Sequence, residues 1–323
     1  MVSILNIGTQ YFDGTSRIRN NKWDRRFPKI SYALRSRFNS ADPNVPKKKI
    51  IGLMEMNLKT LADLEPVIRK NGYSYIYQTY LKVHDEPPTQ GSTPLKEQVL
   101  PKKFKDILKS RSTKFSGYDV FRYKSSLQSE LNFYSEILFL IYNPKYFSVE
   151  ETESIYFEKG TYIDEFGNAV YQRISRSALR VVFLDKGLDT KIAFYLTHLD
   201  HQSQESRVKN TKTIADLVKK DLDAGYKVMA AGDWNCFNDE GDMYLKQFKH
   251  LDKVAKDLTA EVVPGFKTCE TPTTIAYPGE PPKGKNVCID RIFSGPSIDP
   301  DWGRIQFLDG GSDHGLVEVS VSF

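Results

Sequence analysis

The sequence predicts a sheet-based α/β fold built in layers, and three observations predict it. Short apolar runs bounded by turn residues recur at 2–7, 50–54, 73–77, 117–123, 135–142, 179–184, 191–198, 227–232, 287–293 and 316–322; runs of this length read as buried strands. Stretches with helical periodicity are interspersed among them, the pattern of a layered α/β protein. No internal repeat and no Pro/Gly/Ser linker divides the 323 residues, so a single domain over 1–323 is expected.

In chain order, the strand at 2–7 begins almost at once. A helix over 24–38 follows, with Phe27, Ile30, Leu34 and Phe38 inward and Arg25, Arg26, Lys29, Arg35 and Arg37 mostly outward. A second helix covers about 58–70 and is closed by Asn71-Gly72. The stretch 82–116, with Pro87-Pro88 and Lys102-Lys103, is too polar for core and reads as a Lys-rich excursion from the domain. Residues 154–175 read as a hairpin turning at Phe166-Gly167-Asn168, with Tyr156, Phe157, Tyr162 and Tyr171 along its arms. The clearest helix is 205–223, where Val208, Ile214, Leu217, Val218 and Leu222 share a face and Gly225 terminates it.

Composition narrows the class. No uncharged apolar stretch approaches the length needed to cross a membrane, and the first residues lack the basic and long apolar regions of a signal peptide. A cytoplasmic, intracellular chain is expected. Cys236, Cys269 and Cys288 are odd in number and widely spaced, which indicates neither a disulfide framework nor a zinc site. The net charge of +5 is unevenly spread. Residues 17–49 carry eleven Lys and Arg against Asp24 and Asp42, and residues 96–124 carry nine against Glu97, Asp106 and Asp119. Such segregation points to a polyanionic partner, nucleic acid first and an anionic lipid headgroup second; the alternative is solvated helix faces and a loop.

The reactive polar residues fall at the ends of the apolar runs, where a rigid sheet presents a site. Ile50-Ile51-Gly52-Leu53-Met54 leads into Glu55, which is placed to hold a metal. Asn6 ends the first run and could complete the metal shell as an amide. Thr197-His198 ends another run, and His198 could donate to a phosphate; His201 is read as structural. In Gly232-Asp233-Trp234-Asn235 the acid and the amide alternate and can face the same way, the acid toward water and the amide toward a developing phosphorane. Alone, that tetrapeptide reads more readily as an Asx-turn ending a strand. Gly311-Ser312-Asp313-His314-Gly315 forms a loop in which Asp313 can approach a metal and His314 can exchange a proton or bind phosphate. Asp290 lies inside an apolar strand and needs a partner, either an imidazole or an arginine such as Arg291 or Arg180.

Taken together, Asn6, Glu55, Thr197-His198, Asp233 with Asn235, Asp290 and Asp313-His314 resemble the motif series of the endonuclease/exonuclease/phosphatase superfamily, in its order and over essentially the whole chain. The resemblance implies a four-layer α/β-sandwich of the deoxyribonuclease I-like kind: two packed, mostly antiparallel sheets flanked by helices, with one Mg²⁺ or Mn²⁺ at an edge. It implies that Glu55 binds the metal beside Asn6 and Asp313. It implies that His314, oriented by Asp290, acts on water or phosphate, with Asp233 the rival for activating water, and that Asn235 and His198 stabilise the pentacoordinate phosphate. Asp290-Arg291-Ile292 is similar both to inositol-polyphosphate phosphatases and to tyrosyl-DNA phosphodiesterases. Cys236-Phe237, however, follows the Gly-Asp-x-Asn where the former place aromatic and Arg residues.

The expected function is a Mg²⁺-dependent phosphodiesterase of nucleic acid, with DNA ahead of RNA. Lys102, Lys103, Lys105, Arg25 and Arg26 are the expected phosphate contacts, and a monomer is the expected state. The alternatives are a phosphoinositide phosphatase or sphingolipid phosphodiesterase on the same scaffold and, from another class, a binding module without catalysis.

Overall fold

The computed structural model describes residues 1–7, 23–38, 47–56, 58–78, 90–91, 137–157, 161–163, 169–171, 176–201, 203–236, 241–268, 270–274, 287–308 and 311–322. Its first unit is strand β1 (Val2–Asn6), helix α1 (Trp23–Phe38) and strand β2 (Ile50–Met56). Then come α2 (Leu58–Lys70), β3 (Ser74–Gln78), the two-residue β4 (Gln90–Gly91), β5 (Ile137–Tyr142), β6 (Phe147–Tyr156), β7 (Thr161–Ile163), β8 (Ala169–Tyr171) and β9 (Ser177–Asp185). The remainder is β10 (Thr190–His198), α3 (Gln204–Asp223), β11 (Lys227–Asp233), α4 (Gly241–Phe248), β12 (Lys256–Asp257), α5 (Leu258–Val262), β13 (Asp290–Ser294), β14 (Asp299–Gln306) and β15 (Leu316–Ser322).

Two mixed sheets result, a seven-stranded one ordered β14-β15-β1-β2-β5-β3-β4 and a six-stranded one ordered β12-β13-β11-β10-β9-β6. Each holds one parallel pair among antiparallel neighbours. β1 and β2 run parallel from Val2↔Ile50 to Asn6↔Met54, and β10 and β11 from Ile192↔Lys227 to His198↔Asp233. Parallel neighbours need a crossover, which α1 and α3 supply. The second pair ends at two polar residues side by side, His198 and Asp233; the first ends at Asn6 opposite Met54, one residue before Glu55.

Strand alternation sorts the core into layers. Val2, Ile4, Ile50 and Leu140 of the first sheet pack against Leu179, Phe194, Leu196, Met229 and Ile292 of the second. On the outer face of the first sheet, Leu5, Leu53 and Phe139 meet Ile30 and Leu34 of α1 and Leu61 and Leu64 of α2. On the outer face of the second, Ala193, Tyr195 and Ala230 meet Ile214 and Val218 of α3 and Phe248 of α4. The order helix, sheet, sheet, helix is the four-layer sandwich expected from the sequence.

Several elements depart from the sequence reading. β6 and β14 carry few apolar residues because each is an edge strand with exposed positions, so neither shows as an apolar run. α4 and α5 are short and were not expected. β7 and β8 pair antiparallel with Ile163 opposite Ala169, whereas the turn at Phe166-Gly167-Asn168 lies outside the described residues. Phe157, expected along the arm of that hairpin, is instead buried against Ala178 and Tyr195, while Tyr156 is exposed. The run at 117–123 and all of the 82–116 excursion except Gln90–Gly91 also lie outside the described residues. No described helix is long and apolar enough to cross a membrane.

The outward placement of two α1 arginines is corrected. Arg26 and Arg37 fall on the same helical stripe as Ile30 and Leu34, and both are buried. Arg26 Nε donates to the Gly311 carbonyl at 2.9 Å, and Arg37 binds Glu318 through Nε at 3.1 Å and Nη2 at 2.8 Å. Their partners lie near the other end of the chain, where periodicity along α1 could not reveal them. Lys49 is also buried, and Lys48 pairs with Asp185 at 2.8 Å, so the basic segment 17–49 is partly spent inside the fold.

Candidate active site

At one end of the sandwich the inner faces of both sheets change from apolar to polar. Continuing the inward phase of Val2 and Ile4 leads to Asn6; that of Ile76 leads to Gln78. The phases of Leu196 and Met229-Ala231 lead to His198 and Asp233, and that of Ile292 leads back to Asp290. Alternation alone therefore points these side chains across the gap between the sheets.

Asn6 spans that gap. Its Nδ2 donates to Glu55 Oε1 at 3.1 Å and to Asp233 Oδ2 at 3.0 Å, so one amide nitrogen from the first sheet serves a carboxylate of each sheet. Simple alternation would send Glu55 outward with Ile51 and Leu53. A register shift between Leu53 and Met56 against β5, with Glu55 at φ +55, turns it toward the site instead. Asn235 holds a similar left-handed conformation at φ +49. Gly232 is required for a different reason: a Cβ there would stand 1.9 Å from the Thr197 carbonyl oxygen.

Asp233 is held from three sides. Its Oδ1 accepts the Asn235 backbone N–H at 2.9 Å, closing the Asx-turn, while Oδ2 takes Asn6, and its own N–H lies 3.1 Å from Met54 Sδ. The Asn235 amide donates to the Leu199 carbonyl at 2.9 Å, at the residue after His198, and the same group carries a second N–H. His198 Nε2 lies 3.7 Å from Glu55 Oε1 and 3.6 Å from Asp233 Oδ2.

Across from this cluster, His314 Nδ1 meets Asp290 Oδ2 at 2.8 Å. The partner of Asp290 is thus the imidazole; Arg291 pairs with Asp257, and Arg180 with Asp221 at 2.6 Å. Ser312 fixes the loop by donating to the Asn6 carbonyl at 2.6 Å and accepting the His314 N–H at 3.0 Å. Burial works against charge on His314, but Asp290, Asp313 and Asp233 outweigh it and raise the imidazole well above 6.5. The 2.8 Å contact places a shared proton between the ring and the Asp290 carboxyl. Burial, with the charge of Asp233, also lifts the Asp290 carboxyl above its usual range.

Two groups with no residue in common could hold a cation. Asp233, Asp290 and His314 offer ligand atoms within 4.8 Å of one another. Glu55, Asn6 and Asp313, the set expected from the sequence, supply oxygen donors only. The second fits a hard divalent ion better, because it offers oxygen donors alone, whereas in the first the His314 Nδ1 and Asp290 Oδ2 are already engaged with each other. The fit also rests on charge: Glu55 and Asp233 converge on a single amide hydrogen-bond donor, and two such carboxylates are stabilised by a cation between them. Cys236 packs with Trp234 and Phe248 in the outer core and offers no soft ligand.

The geometry thus brings together Asn6, Glu55, His198, Asp233, Asn235, Asp290 and His314, and Asp313 acts on His314 by its charge. Lys102, Lys103 and Lys105 lie outside the described residues, Arg25 is exposed on α1, and Arg26 is buried. Two polar members were missed, Gln78 on the inner face of β3 and Arg176. Arg176, buried at the start of β9, places Nη1 2.9 Å from His198 Nδ1 and Nη2 3.3 Å from His201 Nδ1. It precedes its apolar run, and a strand antiparallel to β10 begins where β10 ends, so the start of that run was the signal.

No family model and no curated protein matches the sequence. Solved structures do. An endonuclease/exonuclease/phosphatase family protein from Bacteroides thetaiotaomicron superposes with a TM-score of 0.62 at 16% identity, covering 100% of this chain and 97% of that one. A mannosyl-6-phosphatase from the same organism gives 0.62 at 16% identity, with 100% of both chains covered. TDP2 of D. rerio, complexed with a single-strand DNA product, gives 0.56 at 15% identity, covering 100% of this chain and 98% of that one.

Proposed function

This chain has the endonuclease/exonuclease/phosphatase fold, and from that fold and the site's geometry we infer that it is a divalent-metal-dependent phosphoric ester hydrolase acting on nucleic acid. The observation that carries the reading is the Asn6 amide joining Glu55 to Asp233 opposite the Asp290–His314 pair. Glu55, with Asn6 and Asp313 beside it, would hold Mg²⁺ or Mn²⁺, which when bound neutralises phosphoryl oxygens and acidifies water.

The remaining chemistry falls to the protein's own groups. Asp233, held by Asn6 and the Asn235 N–H, accepts the proton of the attacking water as its oxygen bonds to phosphorus. His314, fixed by Asp290, donates a hydrogen bond to a non-bridging oxygen of the phosphoryl group as the ester P–O bond breaks, and the departing alkoxide takes its proton from solvent water. His198 and the second N–H of Asn235 donate to the remaining phosphoryl oxygens. Asp233 is thereby preferred over His314 as the base.

Nucleic acid is favoured by one face of α1. Arg25, Lys29 and Arg35 are exposed there around Tyr32, which is 74% exposed. The face starts at the site's edge, since Lys29 Cβ lies 3.4 Å from where a Cβ on Gly311 would be, two residues before Asp313. Cations track a phosphate backbone and an aromatic ring stacks on bases. DNA is placed ahead of RNA, with Lys102, Lys103 and Lys105 as further phosphate contacts. The full-length likeness to a mannosyl-6-phosphatase favours a second reading, a phosphomonoesterase.

A substrate panel tests this: plasmid, single-stranded DNA, RNA, a sugar phosphate, phosphoinositide and sphingomyelin, each with Mg²⁺ and with EDTA. Cleavage of DNA that stops in EDTA and returns with Mg²⁺ is expected. Turnover of the sugar phosphate alone would put the second reading in its place, and full activity in EDTA would sink both.

A further inference from the structure

We propose that Thr273 is a positioning residue that holds the two halves of the Asp290–His314 pair in register. The inference deepens the hydrolase reading above and rests on it for the role of that pair. Asp290 opens β13 in the six-stranded sheet, and His314 precedes β15 in the seven-stranded one, so no common ladder sets their separation. Thr273 spans the two. Its hydroxyl oxygen accepts the backbone N–H groups of Ile289 at 3.0 Å and Asp290 at 3.2 Å, and its carbonyl accepts the Gly315 N–H at 2.7 Å. A backbone N–H can only donate, so the direction of all three bonds is fixed by their chemistry. Thr274 then pairs with His314 in an isolated antiparallel bridge. One residue thus grips the backbone of the acid with its side chain and the histidine loop with its main chain.

The need for a side-chain acceptor comes from the sheet. β11 holds one edge of β13, but on the other edge β12 covers only Ser294 and Phe293. Past that point two N–H groups of the same edge go to hydroxyls instead: Ile292 to Thr259 Oγ1 at 2.9 Å and Asp290 to Thr273 Oγ1 at 3.2 Å. Both threonines are fully buried, so water is a poor substitute for either oxygen. The two hydroxyls do the same backbone work, yet only Thr273 also reaches the loop of the opposite sheet. Thr273 is anchored in turn at Val287, whose carbonyl accepts its N–H at 2.9 Å and its hydroxyl at 3.2 Å. Valine has the shape of threonine without the oxygen. At 273 it would leave the Ile289 and Asp290 N–H groups without their acceptor and free Asp290 to shift against a ring nitrogen 2.8 Å away.

The test sets Thr273→Val against Thr259→Val, which removes the matching hydroxyl two residues further along β13, and against Thr273→Ser, which keeps the oxygen. In ¹³C-labelled protein with EDTA, the proton–carbon signal of the His314 ring, assigned by its loss in His314→Gln, should move in Thr273→Val. It should stay in place in Thr259→Val and in Thr273→Ser. Under turnover, Thr273→Val should lower kcat about tenfold or more with KM little changed, Thr273→Ser should recover most of that loss, and Thr259→Val should match the parent. In a His314→Ala background Thr273→Val should add little. An unmoved ring signal in Thr273→Val, equal losses from the two valine variants, or losses fully additive with His314→Ala overturn the proposal. Amide exchange in the parent protein decides even if no variant folds: the Asp290 and Gly315 amides should be protected to the same degree, and a freely exchanging amide at either overturns it. If no phosphate ester is hydrolysed while the ring signal behaves as described, the proposed function falls and the hold of Thr273 on the pair stands.

Discussion

Replacing Gly232 by alanine should break the junction that carries half of the site. Gly232 pairs with Thr197 in the parallel ladder, has φ +153, and would place a Cβ 1.9 Å from the Thr197 carbonyl oxygen and 2.8 Å from its carbonyl carbon. An ordinary carbon–oxygen contact is about 3.3 Å, so β10 and β11 would have to separate by more than about 1 Å. Backbone strain of about 1–3 kcal/mol and overpacking of about 1–3 kcal/mol combine to about 2–6 kcal/mol. Gly72 supplies the control: its φ is +75, but nothing lies within 4 Å of an added Cβ, so Gly72→Ala carries only the left-handed term, about 1–2 kcal/mol. Equilibrium urea unfolding of both variants measures the difference. Since His198 and Asp233 follow these two residues directly, the surviving Gly232→Ala protein should also lose turnover. Equal destabilisation at the two glycines would show that the close approach at Thr197 does not constrain the ladder.

Other outcomes follow from the same contacts. His314→Ala should lower turnover on the order of 10²-fold or more with the fold intact, and Asp290→Asn should be far from additive with it; independent losses would separate the pair. Burial disfavours charge on Glu318, yet Arg37 and Arg304 hold its carboxyl below 4.5, so its contribution is present above that value and lost as pH falls through the lower folded value. Glu318→Gln should cost about 3 kcal/mol at neutral pH by leaving Arg37 buried without its anion, and less in acid; an equal cost at pH 3 and pH 7 in urea titrations would refute this. Burial pushes the Cys236 thiol up to about 11, so alkylation at pH 8, followed by mass spectrometry, should proceed only as fast as the protein opens.

Legibility in the sequence followed burial. β2, β10 and β11 read clearly because they are buried on both faces, and Glu55, His198 and Asp233 read clearly because each interrupts such a run. β6 and β14 did not, because an edge strand with one wetted face has no apolar signature. Arg26 and Arg37 were turned the wrong way because charge suggested solvent, while Gly311 and Glu318, which satisfy them, are distant in sequence. Arg176 was passed over because it opens its strand instead of closing it. The bulge that swings Glu55 inward left no trace, since neither Met54 nor Met56 marks a turn.

The left-handed backbone at Glu55 and Asn235 has a consequence for how the molecule would respond to selection. Glycine adopts φ +55 and φ +49 without the steric penalty that a side chain meets, so Glu55→Gly and Asn235→Gly relieve local strain of about 1 kcal/mol each while deleting a site group. A population evolved for heat resistance with activity unscreened should drift toward glycine at these two positions. One held to its chemistry should keep an acid and an amide there and gather its stabilising changes elsewhere.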